Sequence, residues 1–144
     1  MRGLFRSTDG QLHFGLLVLR VGIGAAFIAH GLPKLQGGPE AWLKYGHAVG
    51  NLGIDFAHQT FGLMAGLAEA GGGLLLILGL FTRLACIPML VTMIVAMSGP
   101  LVHGEGFVSA AHALEDGVVF LALLITGAGR FSLDAKLGGP TSWG

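Results

Sequence analysis

Arg20, His30, Lys34, Glu69, His112 and Glu115 could do chemistry, because each lies in or at the edge of a long apolar run. An ionisable side chain at the centre of a membrane-spanning helix costs about 2.5–3.5 kcal/mol on insertion scales, so such groups face a partner or a cavity. Histidine, arginine and lysine supply hydrogen-bond donors for carbonyl or acidic oxygens, and a glutamate can accept a proton. Arg20, Phe27, His30 and Lys34 share one broad stripe at about 100° per residue. His112 is followed by Glu115 and Asp116 at the third and fourth positions, one polar helix face.

Helix rise suggests which charges could meet. Arg20 lies about 9 Å from one edge of its run, and Glu69 and Glu115 lie about 12–14 Å from the opposite edge of theirs. A tilted guanidinium could bridge the remaining gap, so Arg20 is expected to pair with Glu69, Glu115 or both. Gly62, Ala65, Gly66, Gly72 and Gly73 share the helix face of Glu69. That places the glutamate in a tight helix interface. His30 and His112 are expected at the outer mouth, completing a polar funnel floored by Arg20. The funnel could receive a quinone headgroup, a small acid or a proton; equally, the charges could serve only to hold the helices together.

Other chemistries have weaker support. His30, His103 and His112, with His47, His58 and Met97 nearby, could gather around copper or zinc, but no diagnostic ligand spacing is present. A bis-histidine haem is weaker still. Met89, Met93 and Met97 form one stripe, which reads as packing. No phosphate-binding glycine loop or nucleophile elbow occurs, and Ser109, Ser132 and Ser142 lack an evident base. Cys86 is alone, which excludes an intramolecular disulfide or a dithiol. Zero formal net charge without a basic patch argues against nucleic acid as a partner.

The elements that must position these residues are membrane helices. Of 144 residues, 53% are hydrophobic and 11% charged, with mean hydropathy +0.74. Soluble domains carry about 25% charged residues. Four segments, 14–33, 60–81, 84–102 and 107–128, reach the roughly 20 residues that a bilayer core requires. The second and third are separated by "TR", and the third and fourth by "HGEG". The first run carries Arg20 and lacks a small-residue cleavage site, so it reads as a retained helix and not a signal peptide. Arg2, Arg6, Arg83, Arg130 and Lys136 fall on one side, and Lys34 and Lys44 on the other. Both termini are therefore expected in the cytoplasm. In the outer loop 34–59, "PEAWLKYGHAVGNLG" reads as a short interfacial helix opened by Pro39 and Glu40, with Trp42, Tyr45, Val49 and Leu52 on its apolar face. The expected architecture is a single all-α domain: an integral membrane four-helix bundle with that helix in the outer loop.

Three stretches, "LRVGIGAAFIAHGLPKL", "GLAEAGGGLLLILGLFTRLACIPMLVTMIVAM" and "ALEDGVVFLALLITGAGRFSLDAKL", in this order resemble the DoxX family of small membrane proteins, over about residues 14–137. The resemblance implies a four-helix bundle in the bacterial cell membrane, and Arg20, His30, Gly31, Lys34, Glu69, Gly72, Arg83 and Asp134 fall on its motif positions. The family includes the large subunit of an archaeal thiosulfate:quinone oxidoreductase, and other members are linked with redox defence and sulfur metabolism. "HALED" and the loop histidines are additional to the motif.

Together these observations lead to a bacterial inner-membrane subunit serving an oxidoreductase system at the quinone pool. It would offer the funnel to a quinone or small sulfur substrate and dock a soluble redox partner outside, alongside other protein subunits of a membrane complex. One alternative is a non-catalytic anchor or assembly subunit for an exported or peripheral enzyme. A small-solute transporter is the weaker alternative, because four helices make a small pore unless the protein oligomerises.

Overall fold

The computed structural model describes residues 8–138; Arg2, Arg6 and Ser142 lie outside the described residues. Helix α1 spans Asp9–Gln36, α2 Gly38–Gly46, a 3-10 turn His47–Leu52, α3 His58–Leu78, α4 Thr82–Val102, α5 Phe107–Thr126 and α6 Leu133–Leu137. The secondary structure of the described residues is all-helical, and α1, α3, α4 and α5 are each long and apolar enough to cross a membrane. The end of the bundle carrying α6 and the α3–α4 turn is called the terminal end below; the end carrying α2 is the loop end.

α1 is longer than the apolar run implied. Thr8 caps it through a reciprocal pair: the Gln11 backbone N–H donates to Thr8 Oγ1 and the Thr8 N–H donates to Gln11 Oε1. At the other end the helix passes through Pro33 to Gln36, which carries Lys34 on a helix and not on a loop. α2 follows after Gly37 alone, with Pro39 and Glu40 in its first turn. It folds back onto α3 so closely that a Cβ on Gly62 would collide with the Trp42 carbonyl, and one on Gly46 with that of His58.

Glycines set how α1 and α3 run past each other. A Cβ on Gly24 would lie 2.6 Å from the Gly73 carbonyl oxygen, and one on Gly31 2.9 Å from that of Gly66. These two backbone contacts, seven residues apart on each antiparallel helix, fix the register and leave no room for a side chain. The buried face of α3 is Gly62, Gly66, Glu69, Gly72, Gly73 and Leu76, the glycine face read from the sequence. Phe27, Leu76, Cys86, Met89, Met93, Phe120 and Leu123 form the apolar core at the centre of the bundle. Met89 and Met93 are thus packing residues, with Met89 against Gly72.

The turn between α3 and α4 is not "TR". Gly79 (φ 64°) and Phe81 (φ 48°) take left-handed conformations, and Thr82 and Arg83 already belong to α4. The reason is remote in sequence. Asp134 at the start of α6 accepts from the Phe81 N–H (2.7 Å) and the Thr82 N–H (3.0 Å), capping α4 from outside its own segment. The connection between α4 and α5, residues 103–106, is where the sequence placed it.

Candidate functional site

Glu69 pairs with Lys34 and not with Arg20. Lys34 Nζ donates to Glu69 Oε1 at 2.7 Å, with 21% and 5% of the respective side chains exposed. Glu69 Oε2 is buried and has no hydrogen-bond partner among the described residues. Side chains on a helix lean toward its N-terminus. Since α1 and α3 are antiparallel, Lys34 leans down from the loop end while Glu69 leans up toward it, and the two meet. Arg20 leans the same way as Lys34, toward the terminal end, but starts about 12 Å below Glu69 by helix rise and so leans away from it. The expected Arg20–Glu69 pair does not form because the glycine contacts and the lean of Cβ, not the edges of the apolar runs, set the relative depth of the two side chains.

Arg20 instead locks the terminal end. It is fully buried, donating from Nη1 to the Leu76 carbonyl (3.0 Å) and from Nη2 to the Phe131 carbonyl (2.7 Å). Gly79 lies against the guanidinium, where a Cβ would collide with Nη1. One side chain thereby joins α1, the end of α3 and the segment before α6. It does not floor a funnel.

Beside the Lys34–Glu69 pair lies a cavity of about 530 Å³ between α3 and α4. Its walls are apolar: Met64, Ala65 and Ala68 on α3, with Ile87, Val91 and Val95 on α4. Tyr45 and Val49 cover its loop end, and the Lys34 ammonium stands 5.1 Å from the centre of the Tyr45 ring. Met64, Ile87 and Val91 are more than half or about half exposed, so in a bilayer the cavity opens sideways to lipid. The site therefore has an apolar chamber, one cation, one carboxylate oxygen without a partner, and a lipid-side entrance. Tyr45 entered the sequence reading only as part of the apolar face of the loop helix. Its spacing to Lys34, across the α1–α2 corner, carried no signal.

The remaining candidates stand elsewhere. His30 and His112 come together, ring centres 6.3 Å apart, in the gap between α1 and α5. His112 Nε2 lies 3.7 Å from Asp116 Oδ2, and Phe27 packs edge-on against Phe120 beneath them. None of these lines the α3–α4 cavity. Glu115 is exposed on the outer face of α5 and pairs with no residue among those described. No three His, Cys, Asp or Glu side chains gather with metal-binding geometry among the described residues, so His103 does not join His30 and His112.

Four apolar spans, a glycine-set register and a lipid-open chamber define a small helical membrane protein with an internal polar pair. Its family follows from comparison: the chain belongs to the DoxX family, whose family model matches residues 15–104. It is 30% identical, over an alignment covering 85% of this chain and 80% of the relative, to an uncharacterized membrane protein of Mycobacterium tuberculosis. It is 35% identical, over 84% of this chain and 89% of the relative, to an uncharacterized protein of Haemophilus influenzae. No solved structure gives a significant match.

Proposed function

We propose that this protein is a quinone-binding subunit of an oxidoreductase complex in the bacterial inner membrane, with both termini in the cytoplasm. The observation that carries this reading is the lipid-open apolar cavity lined at its polar end by Lys34 and Glu69, whose Oε2 is buried without a hydrogen-bond partner among the described residues. Its volume falls in the range of small-molecule sites, about 300–1,000 Å³. The ligand class follows from the lining. An amphiphile entering from lipid needs an apolar tail for Met64, Ile87 and Val91 and a small polar head for the ion pair. The head must accept from an ammonium and donate to a carboxylate. A quinone carbonyl does the first and a quinol hydroxyl the second.

Lys34 would donate to the oxygen of the head and hold it against Tyr45. Glu69 would accept a hydroxyl proton on Oε2 while Oε1 keeps its bond to Lys34. A quinol–quinone couple exchanges two electrons with two protons, and one cysteine offers no dithiol to carry them. The electrons and the second proton therefore pass to or from a partner subunit that holds the redox centre. The orientation rests on Arg83, Arg130 and Lys136 at the terminal end against Lys34 and Lys44 at the loop end.

The test is extraction of quinone from protein purified gently from its own membrane. Wild type should carry close to one quinone per chain. Val91→Phe, which fills the chamber without touching the ion pair, should carry several-fold less, and Glu69→Gln should lose quinone while remaining folded. Wild type free of quinone that still co-purifies with a redox enzyme would refute the reading in favour of the anchor role.

A further inference from the structure

A second cavity, of about 850 Å³, lies at the terminal end, outside the site already described. Two arginines line it. Arg83, on the first turn of α4, donates from Nη2 to the Ile125 carbonyl at the end of α5 (3.1 Å), and among the described residues its other guanidinium N–H groups make no hydrogen bond. Its fork lies over the Gly127 turn, 3.4 Å from where a Cβ would stand. Arg130 follows the positive-φ residues Gly127 and Gly129, which bring the chain back past Arg83. The Arg130 guanidinium is 5.6 Å from the Phe131 ring centre and the residue is exposed. Neither arginine is ion-paired among the described residues. The acid in the lining, Asp134, has both oxygens committed to the Phe81 and Thr82 N–H groups. His13 completes the polar wall.

The other wall is apolar and faces outward. Phe81, Leu84 and Ile125 line the same cavity and are 58%, 64% and 68% exposed. This juxtaposition, a cationic fork at a helix end and an apolar strip running from it along the spans, matches an anion with a hydrocarbon tail attached. We propose that this cavity binds the phosphate of an anionic phospholipid, with Arg83 and Arg130 on the headgroup and Phe81, Leu84 and Ile125 along the acyl chains. Planar guanidinium groups suit phosphate oxygens, each presenting paired N–H donors. The lipid also has a structural consequence: it bridges α4 to the 127–130 segment, beside the Arg20 and Asp134 contacts that hold the same end together.

Native mass spectrometry of the detergent-solubilised full chain tests this, with phosphatidylglycerol, phosphatidylcholine and inorganic phosphate as separate probes. Wild type should bind phosphatidylglycerol saturably and at least tenfold more tightly than phosphatidylcholine. Each arginine removed should weaken binding about fivefold, the fold-change of roughly 1 kcal/mol per basic residue at a lipid surface. Arg83→Gln also loses the bond to Ile125, so Arg130→Gln, whose side chain makes no hydrogen bond to the described residues, keeps the test independent of that contact. Lys44→Gln at the loop end should bind as wild type does. Equal affinity for both lipids, or unchanged phosphatidylglycerol binding in Arg130→Gln and Arg83→Gln, would overturn the site. Displacement of phosphatidylglycerol by equimolar inorganic phosphate would overturn the lipid assignment, because the tail would then contribute nothing.

Discussion

Replacing Arg20 by methionine keeps the apolar volume of the side chain but removes two charged donors from the protein interior. A hydrogen bond to a charged group contributes about 1.5–3 kcal/mol. The Leu76 carbonyl retains the Gly79 N–H as a donor (3.1 Å), so its loss falls at the low end, whereas the Phe131 carbonyl loses its charged partner at 2.7 Å and falls at the high end. The expected destabilisation is about 4.5 kcal/mol. Arg20→Lys should cost roughly half of that, since one ammonium cannot span two carbonyls held by a fork. Reversible unfolding in mixed micelles with increasing sodium dodecyl sulfate measures both. The same assay distinguishes the observed partners from the expected ones. Arg20→Met and Glu69→Gln should be additive within about 0.5 kcal/mol, because the sites share no partner. Lys34→Met and Glu69→Gln should couple by more than about 1 kcal/mol, as residues in direct contact do. Destabilisation of less than about 1 kcal/mol for Arg20→Met, or coupling between Arg20 and Glu69, would refute the reasoning.

The glycine register and the remote cap give two further expectations. Gly31→Val should cost about 3 kcal/mol or more, the upper range for overpacking, since a Cβ there meets Ala70 and Gly66 backbone. Gly22→Ala on the same helix, with nothing within 4 Å, should stay within about 0.5 kcal/mol, and equal effects at both positions would contradict the packing scheme. Asp134→Ala should destabilise by about 1–2 kcal/mol, the usual cost of losing a helix cap. Hydrogen exchange should then rise at the Phe81 and Thr82 amides, and unchanged protection there would show that Asp134 does not hold the α3–α4 turn.

The fold was legible in the sequence because its signals are local. Apolar runs long enough to span a bilayer, the "HGEG" connection and the glycine face around Glu69 need no knowledge of the other helices. The partner of Glu69 was not legible, because it depends on how α1 slides along α3. Contacts of Gly24 and Gly31 with Gly73 and Gly66 set that register, and no single segment encodes it. The α3–α4 turn was misplaced for a similar reason, its cap coming from Asp134 far along the chain. Of the six site candidates, Lys34 and Glu69 meet at the α3–α4 cavity. His30 and His112 meet separately between α1 and α5, Arg20 closes the terminal end, and Glu115 faces outward. The sequence identified residue types that a membrane helix carries only for a reason; it could not divide them among different places.

The central claim is that the chamber beside Lys34 and Glu69 receives a quinone head, and photo-crosslinking addresses it directly. An azido-quinone would be illuminated with the protein in native membranes, and the labelled peptides identified by mass spectrometry. Label is expected on the cavity walls, at residues 65–69 of α3 or 87–95 of α4, competed by excess unlabelled quinone and lost in Val91→Phe. Label distributed over lipid-facing residues of all four spans, or unaffected by competitor, would contradict it.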